Sequence, residues 1–147
     1  MGIRRILKEF AERRKQREVP KLLFMVVVKR HHLRTKMLGS GTNPPPGCVI
    51  ESQIVDKARQ NFYLYSHKAV AGTARPTHYQ LLYSDFGEEM PLEKIANVTF
   101  YLAHLHQTCT KSISIPAPVS LADKAAGRIV AYGDKCKPKR EYRMFMI

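Results

Sequence analysis

A run of seven apolar residues constrains the fold of this chain more than any other feature. Residues 22–28 are apolar without interruption and partly β-branched, which is typical of a strand covered on both faces in an α/β sheet. Residues 3–18 precede it with the periodicity of an amphipathic helix, and Pro20 ends that pattern. The apolar positions of this helix are Ile3, Ile6, Leu7 and Phe10. A helix that leads into a buried strand predicts a layered α/β fold.

The remaining elements follow from periodicity and from turn residues. Strands are expected at residues 48–55, 61–66 and 78–84. Pro91 opens a second helix over residues 91–107. Its expected core positions are Leu92, Ile95, Val98, Leu102 and Leu105. Pro118 suits the first turn of a third helix, because its missing N–H has no intrahelical partner there.

Composition bounds the class of protein. The chain has 147 residues, enough for one domain or a piece of one, and 44% of them are hydrophobic, which allows a core. The longest uncharged apolar run falls far short of a membrane span, and no secretory signal follows the basic N-terminus. Three scattered cysteines, Cys48, Cys109 and Cys136, favour reduced thiols in the cytosol or nucleus. Zinc-ligand spacings are absent from the sequence.

The net charge of +13 is unevenly distributed along the chain. Residues 1–40 carry twelve Lys or Arg against three Glu, residues 41–122 are neutral overall, and residues 123–147 are basic again. Basic ends that flank a neutral middle favour a polyanionic partner, and the plainer alternative is a soluble basic surface.

Two basic segments follow predicted strands. Residues 29–34 (KRHHLR) come directly after the strand at 22–28, where ligand-binding groups collect in open α/β sheets. We interpret them as phosphate or sugar contacts, with an ordinary basic loop as the alternative. Residues 67–77 are small and polar and include the donors His67, Lys68 and Arg75. Small residues let a backbone approach a ligand closely.

The third helix carries charges on different faces. At about 100° per residue, Lys124 and Arg128 share a face, whereas Asp123 and Arg128 are about 140° apart. One helix can therefore direct a carboxylate to one place and two cations to another.

Three motifs together resemble the C-terminal half of the Piwi domain of Argonaute proteins. They are residues 29–34, residues 66–79 (SHKAVAGTARPTHY) and residues 109–118 (CTKSISIPAP). The resemblance covers nearly all of residues 1–147, including a basic tail at 135–147. It implies an RNase H-like α/β fold, a mixed sheet flanked by helices, that holds a small guide RNA in RNA-mediated gene silencing.

The resemblance also assigns roles to single residues. Asp123 falls at the last of four metal-binding positions, which is a catalytic position in members that cleave RNA. The guide-binding positions, with Lys124 added for its place beside Arg128, are Arg30, His67, Arg75, Ser114, Lys124 and Arg128. Arg128 resembles the arginine that reaches toward the 5′-phosphate of the guide. The chain departs from the family pattern at His106, Thr108, Ser120 and Leu121.

The chemistry argues against a nuclease made by these residues alone. Two metal ions about 3.5–4 Å apart require several converging carboxylates, and the other three acids of the family precede the first residue of this chain. We therefore expect guide and target RNA binding in the cytoplasm, or in the nucleus, without slicing and without a cofactor. Other silencing proteins are further candidate partners, and a membrane is not.

The sequence leaves two alternatives open. One is the C-terminal part of an Mg²⁺-dependent, guide-directed endonuclease that missing N-terminal sequence completes. The other is a non-functional truncated fragment. The same absence of N-terminal strands would leave the strand at 22–28 at an open edge of the sheet.

Overall fold

The computed structural model describes residues 2–14, 18–56 and 58–132. This part contains three α-helices, four strands and a short 3₁₀ helix at Gly87–Glu89. The helices are α1 (Gly2–Arg13), α2 (Leu92–Leu102) and α3 (Ala117–Tyr132). The strands are β1 (Leu23–Val28), β2 (Val49–Ile50), β3 (Asn61–Leu64) and β4 (Thr77–Ser84). The basic tail predicted at 135–147 lies outside the described residues.

The four strands form one sheet in the order β1-β4-β3-β2, and each neighbouring pair is antiparallel. Val28 pairs with His78, and Leu64 pairs with Thr77. The last residues of β1 and β3 therefore lie beside the first residues of β4. We call this end of the sheet the loop end, because the chain leaves β1 and β3 there and enters β4 there.

The strand expected at 48–55 is much shorter than the sequence indicates. Only Val49 and Ile50 pair with β3. Gln53 has a φ of 63°, which interrupts an extended chain, and the Ile54 N–H donates to the Ser52 carbonyl within a tight turn. The alternating apolar residues of this segment extend past the point where the backbone turns away from the sheet.

The core lies between one face of the sheet and α2. Buried Phe62, Leu64 and Tyr79 pack with Ile95 and Ala96 of the helix. The buried face of α2 differs from the predicted stripe, because Val98 and Leu105 are 42% and 65% exposed. Thr99 and Ala103 are buried instead. A close helix–sheet contact accommodates these smaller side chains better than a row of large ones.

β1 is an edge strand within the described part of the chain, as expected from the sequence. The expectation that both of its faces are covered was wrong for these residues, because Phe24 and Val26 are 42% and 38% exposed. In α1, Ala11 is buried, whereas the predicted apolar stripe is partly open to solvent. Its exposed members are Ile3, Ile6 and Phe10.

The third helix begins as the sequence predicts. α3 starts at Ala117 and places Pro118 in its first turn. The carbonyl of Pro116 accepts hydrogen bonds from the N–H groups of Val119 and Ser120 at 3.0 and 3.1 Å. In the part of the chain that the structure describes, no helix combines the length and apolarity needed to cross a bilayer.

Candidate nucleic-acid interface

A groove of about 570 Å³ opens at the loop end of the sheet. His67 and Arg75 from one predicted motif and Ser114 from another line it, and Lys29 joins them. Residues 69–77 form most of the remaining wall. Three of the predicted backbone-contacting residues therefore share one concave surface with a further cation.

Hydrogen bonds across the loop end hold the walls of this groove together. His31 Nε2 donates to the carbonyl of Pro76 at 2.8 Å. Thr77 Oγ1 donates to the carbonyl of Ser114 at 2.6 Å. The first bond joins the segment after β1 to the residue before β4, and the second joins β4 to the segment before α3. Residues distant in sequence are thus fixed next to one another.

Lys29 forms an ion pair that the sequence analysis did not anticipate. Its Nζ lies 2.5 Å from Oδ2 of Asp123 on α3. This hydrogen bond is the main cause that lowers the pKa of the Asp123 carboxyl below its ordinary value, and the charges of Lys29 and Arg30 lower it further. The only signal in the sequence was the position of Lys29 at the end of β1, which says nothing about its partner.

The described residues do not make a metal site by themselves. Among residues 2–14, 18–56 and 58–132, no three His, Cys, Asp or Glu side chains cluster as metal ligands would. Asp123 holds a lysine ammonium, and two hard cations require several oxygen ligands. One carboxylate paired with a lysine does not fit a two-metal centre.

A second polar cluster connects α3 with the loop that follows α2. Buried His106 accepts or donates through both ring nitrogens, to Ser120 Oγ at 3.1 Å and to Thr108 Oγ1 at 3.0 Å. Lys124 Nζ donates to Thr108 Oγ1 at 3.1 Å. Because Lys124 can only donate, Thr108 Oγ1 is free to donate its own proton to His106 Nδ1, and His106 Nε2–H then donates to Ser120.

This cluster contains three of the positions at which the chain departs from the family pattern. Their polar side chains hydrogen-bond to one another, so the departures form a connected unit that also holds Lys124. From the sequence, His106 was only one of four departures from the family pattern. Its hydrogen bonds to Thr108 and Ser120 required the structure.

The remaining predicted residues lie around these two clusters. Arg30 is exposed and close enough to Asp123 to influence its pKa. Arg128 is half-buried on α3. Asp123 reaches the end of β1, whereas Lys124 reaches Thr108. Asp123 and Lys124 therefore contact different parts of the fold.

The comparison with protein-family models identifies the fold. The model described as the Piwi domain matches residues 3–133. The chain belongs to the Piwi domain family. The expected RNase H-like fold is likewise confirmed, because solved Piwi and Argonaute structures match most of the chain.

Similar proteins are much longer than this Piwi chain. Protein tag-76 of Caenorhabditis elegans is 36% identical over 128 residues, which are 83% of this chain and 12% of that protein. The crystal structure of Drosophila Piwi matches with a TM-score of 0.71 and 30% identity, over 88% of this chain and 18% of that one. The chain thus spans about an eighth of the length of protein tag-76.

Two Argonaute structures share the fold at lower identity. The C-terminal lobe of a budding yeast Argonaute matches with a TM-score of 0.76 and 24% identity, over 89% of this chain and 28% of that one. Kluyveromyces polysporus Argonaute, solved with a guide RNA, matches with a TM-score of 0.74 and 23% identity. That match covers 89% of this chain and 17% of the other.

Proposed function

We propose that this Piwi chain binds the sugar-phosphate backbone of a small guide RNA and acts in RNA-mediated gene silencing without cleaving RNA by itself. The observation that carries the proposal is the groove at the loop end, where Lys29, His67, Arg75 and Ser114 line one surface. The guide RNA in the structure of Kluyveromyces polysporus Argonaute gives a nucleic-acid partner for this fold.

The groove has the chemistry of a backbone-binding site. Lys29 and Arg75 carry positive charge, and Ser114 and the main chain of small residues 69–74 offer hydrogen-bonding groups close to a ligand. Such groups contact phosphate and ribose, which are the same at every nucleotide. Binding should therefore depend on charge and show little dependence on base sequence.

The salt dependence of RNA binding tests this proposal. Single-stranded RNA binding should weaken steeply with salt, and the slope of log K against log salt should change by about 0.7 for each phosphate contact removed. Arg75→Ala should weaken binding and make this slope shallower. Arg59→Ala is the matched control, because Arg59 is exposed at the opposite end of the sheet. Equal binding by both variants would contradict the assignment of the groove.

The cellular role is part of the same proposal. Target RNA would pair with the bound guide, and other silencing proteins would associate with the complex in the cytoplasm or nucleus. Immunoprecipitation of the endogenous protein, followed by sequencing of short RNAs, tests this role. Enrichment of short RNAs of one length, lost in Arg75→Ala, supports this role. Recovery of only unselected RNA fragments contradicts it.

A second candidate function is guide-directed RNA cleavage with Mg²⁺, and it rests on the exposed carboxylate of Asp123. In a longer polypeptide, further acids would have to approach it and displace Lys29 before Mg²⁺ could bind. A full-length protein that cleaves guide-paired RNA with Mg²⁺, and loses cleavage in Asp123→Ala, would establish this function. The fragment alternative predicts that residues 1–147 lack a cooperative unfolding transition.

A further inference from the structure

One side chain outside the groove joins the loop that forms most of its wall. Asn43 lies in the connection between β1 and β2 and is half-buried. Its Nδ2 donates to the carbonyl of Gly72 at 2.9 Å. Its Oδ1 accepts the N–H of Ala74 at 3.0 Å. Both partners line the groove, whereas Asn43 is not among the lining residues.

We propose that Asn43 is a positioning residue that fixes the groove loop, residues 67–77, in the shape that contacts the RNA backbone. This inference rests on the proposed function, because it assigns a role within the same groove. Asn43 would act through the loop, without touching the RNA itself.

The two hydrogen bonds involve the residues on either side of Thr73. The carbonyl of residue 72 and the N–H of residue 74 are groups that a neighbouring strand would pair with in a sheet. Here the carboxamide of Asn43 supplies one donor and one acceptor in place of such a strand. Gly72 has a φ of +70°, which glycine adopts readily, so the chain can turn immediately before Thr73.

The part of the groove loop before Ala74 has little apolar packing to hold its shape. Val70, its largest aliphatic side chain, is 95% exposed, and Ala69, Ala71 and Gly72 offer little apolar area for packing. Ala74 is buried, but the segment before it depends on polar contacts. A loop with small side chains has high conformational freedom, so a bidentate hydrogen bond to its backbone limits that freedom where the groove needs a fixed wall.

The segment that contains Asn43 is itself restrained. The N–H of Met37 donates to the Thr42 carbonyl at 2.8 Å, and the N–H of Gly41 donates to the Met37 carbonyl at 3.0 Å. Three prolines at positions 44–46 follow Asn43 and fix φ at each of those residues. Pro44 is buried. Asn43 therefore extends from a restrained segment toward a less restrained one, which is the arrangement that a positioning role requires.

The test compares Asn43→Ala with Thr42→Ala in the complete chain, using a labelled short single-stranded RNA. Thr42 is the control because it is the neighbouring residue and its hydroxyl hydrogen-bonds to Ser40 in the same turn at 2.8 Å. Loss of two hydrogen bonds to the loop should weaken RNA binding by Asn43→Ala roughly tenfold. Thr42→Ala should bind like the wild type. In an Arg75→Ala background the effect of Asn43→Ala should shrink, because the arginine that it orients is gone.

Hydrogen exchange separates positioning from general destabilisation. In Asn43→Ala the amide of Ala74 should exchange faster, while amides of β4 keep their protection. Asn43→Asp provides a second variant, because its carboxylate can accept from the Ala74 N–H but cannot donate to the Gly72 carbonyl. Protection at Ala74 should then lie between that of the wild type and that of Asn43→Ala. Uniformly faster exchange, or unchanged exchange at Ala74, would overturn the positioning role.

Different experimental results would contradict the proposed function and the role of Asn43. A wild-type chain that does not bind the RNA overturns the proposed function. Wild-type binding together with equal affinities for Asn43→Ala and Thr42→Ala overturns the role of Asn43 alone.

Discussion

The ammonium of Lys29 lies 2.5 Å from Oδ2 of Asp123, although the two residues are 94 positions apart in sequence. The contact joins the end of β1 to α3 beside the groove. In the proposed function, a carboxylate in this place would compete with RNA phosphate for the same lysine. The negative charge of Asp123 is thus balanced in part by the ammonium of Lys29.

Replacement of Asp123 by Asn should raise the affinity for single-stranded RNA. The change removes a negative charge beside the groove and releases Lys29 to contact phosphate. Since exposed ion pairs are weak, we expect a modest gain of about fivefold or less. Fluorescence anisotropy at low salt measures the effect. A loss of affinity would instead mean that Asp123 holds Lys29 in place for the RNA.

Thr108→Val should weaken RNA binding only when Lys124 is present. Valine has a similar shape but cannot accept the hydrogen bond from Lys124 Nζ or donate to His106. In a double-mutant cycle with Lys124→Met, the two changes should be non-additive. Thr108→Ser keeps the hydroxyl and should restore wild-type binding. Fully additive losses would show that the two side chains act independently.

Ile95→Ala should destabilise the fold by about 2–5 kcal/mol, because it removes buried methylene groups and leaves a cavity in the core. Ile95 of α2 is 2% exposed and packs against the sheet. Val98→Ala is the control on the same helix. Val98 is 42% exposed, so its change should stay within about 0.5 kcal/mol. Urea unfolding monitored by circular dichroism measures both, and equal effects would contradict this core.

Acidification should reduce stability through His78. Burial lowers the pKa of His78 below 6.5, and the charge of His31 lowers it further. The folded state therefore binds a proton less readily than the unfolded state, so the contribution of His78 is fully present above pH 6.5 and is lost as the pH falls through the folded pKa.

His78→Gln should flatten the dependence of unfolding free energy on pH below 6.5. His32→Gln serves as the control because His32 is exposed. Urea unfolding across this pH range compares the slopes of the two variants. A slope for His78→Gln that matches the wild type would contradict the proposed linkage.

Much of the fold follows from local sequence. The uninterrupted apolar run predicted β1, and Pro118 predicted the first turn of α3, because each depends on side-chain chemistry near one point of the chain. The errors have a common physical origin. The length of β2 and the buried face of α2 depend on the approach of distant segments, which periodicity does not encode.

The groove, too, could be predicted from the sequence only in part. The family motifs singled out His67, Arg75 and Ser114, and the fold places them on one surface with Lys29. Motifs could not reveal that Asp123 pairs with Lys29 or that His106 lies between Thr108 and Ser120. Both contacts depend on where α3 packs, a property of tertiary structure that no single segment specifies.

The antiparallel order of the sheet separates the groove from the turns at the other end. β3 begins and β4 ends there, so Gln60 and Glu88 lie a strand length away from His67 and Arg75. Dyes or affinity tags attached at these exposed positions should report on the domain without entering the path of a bound strand. The topology thus supplies attachment points for single-molecule experiments on this chain.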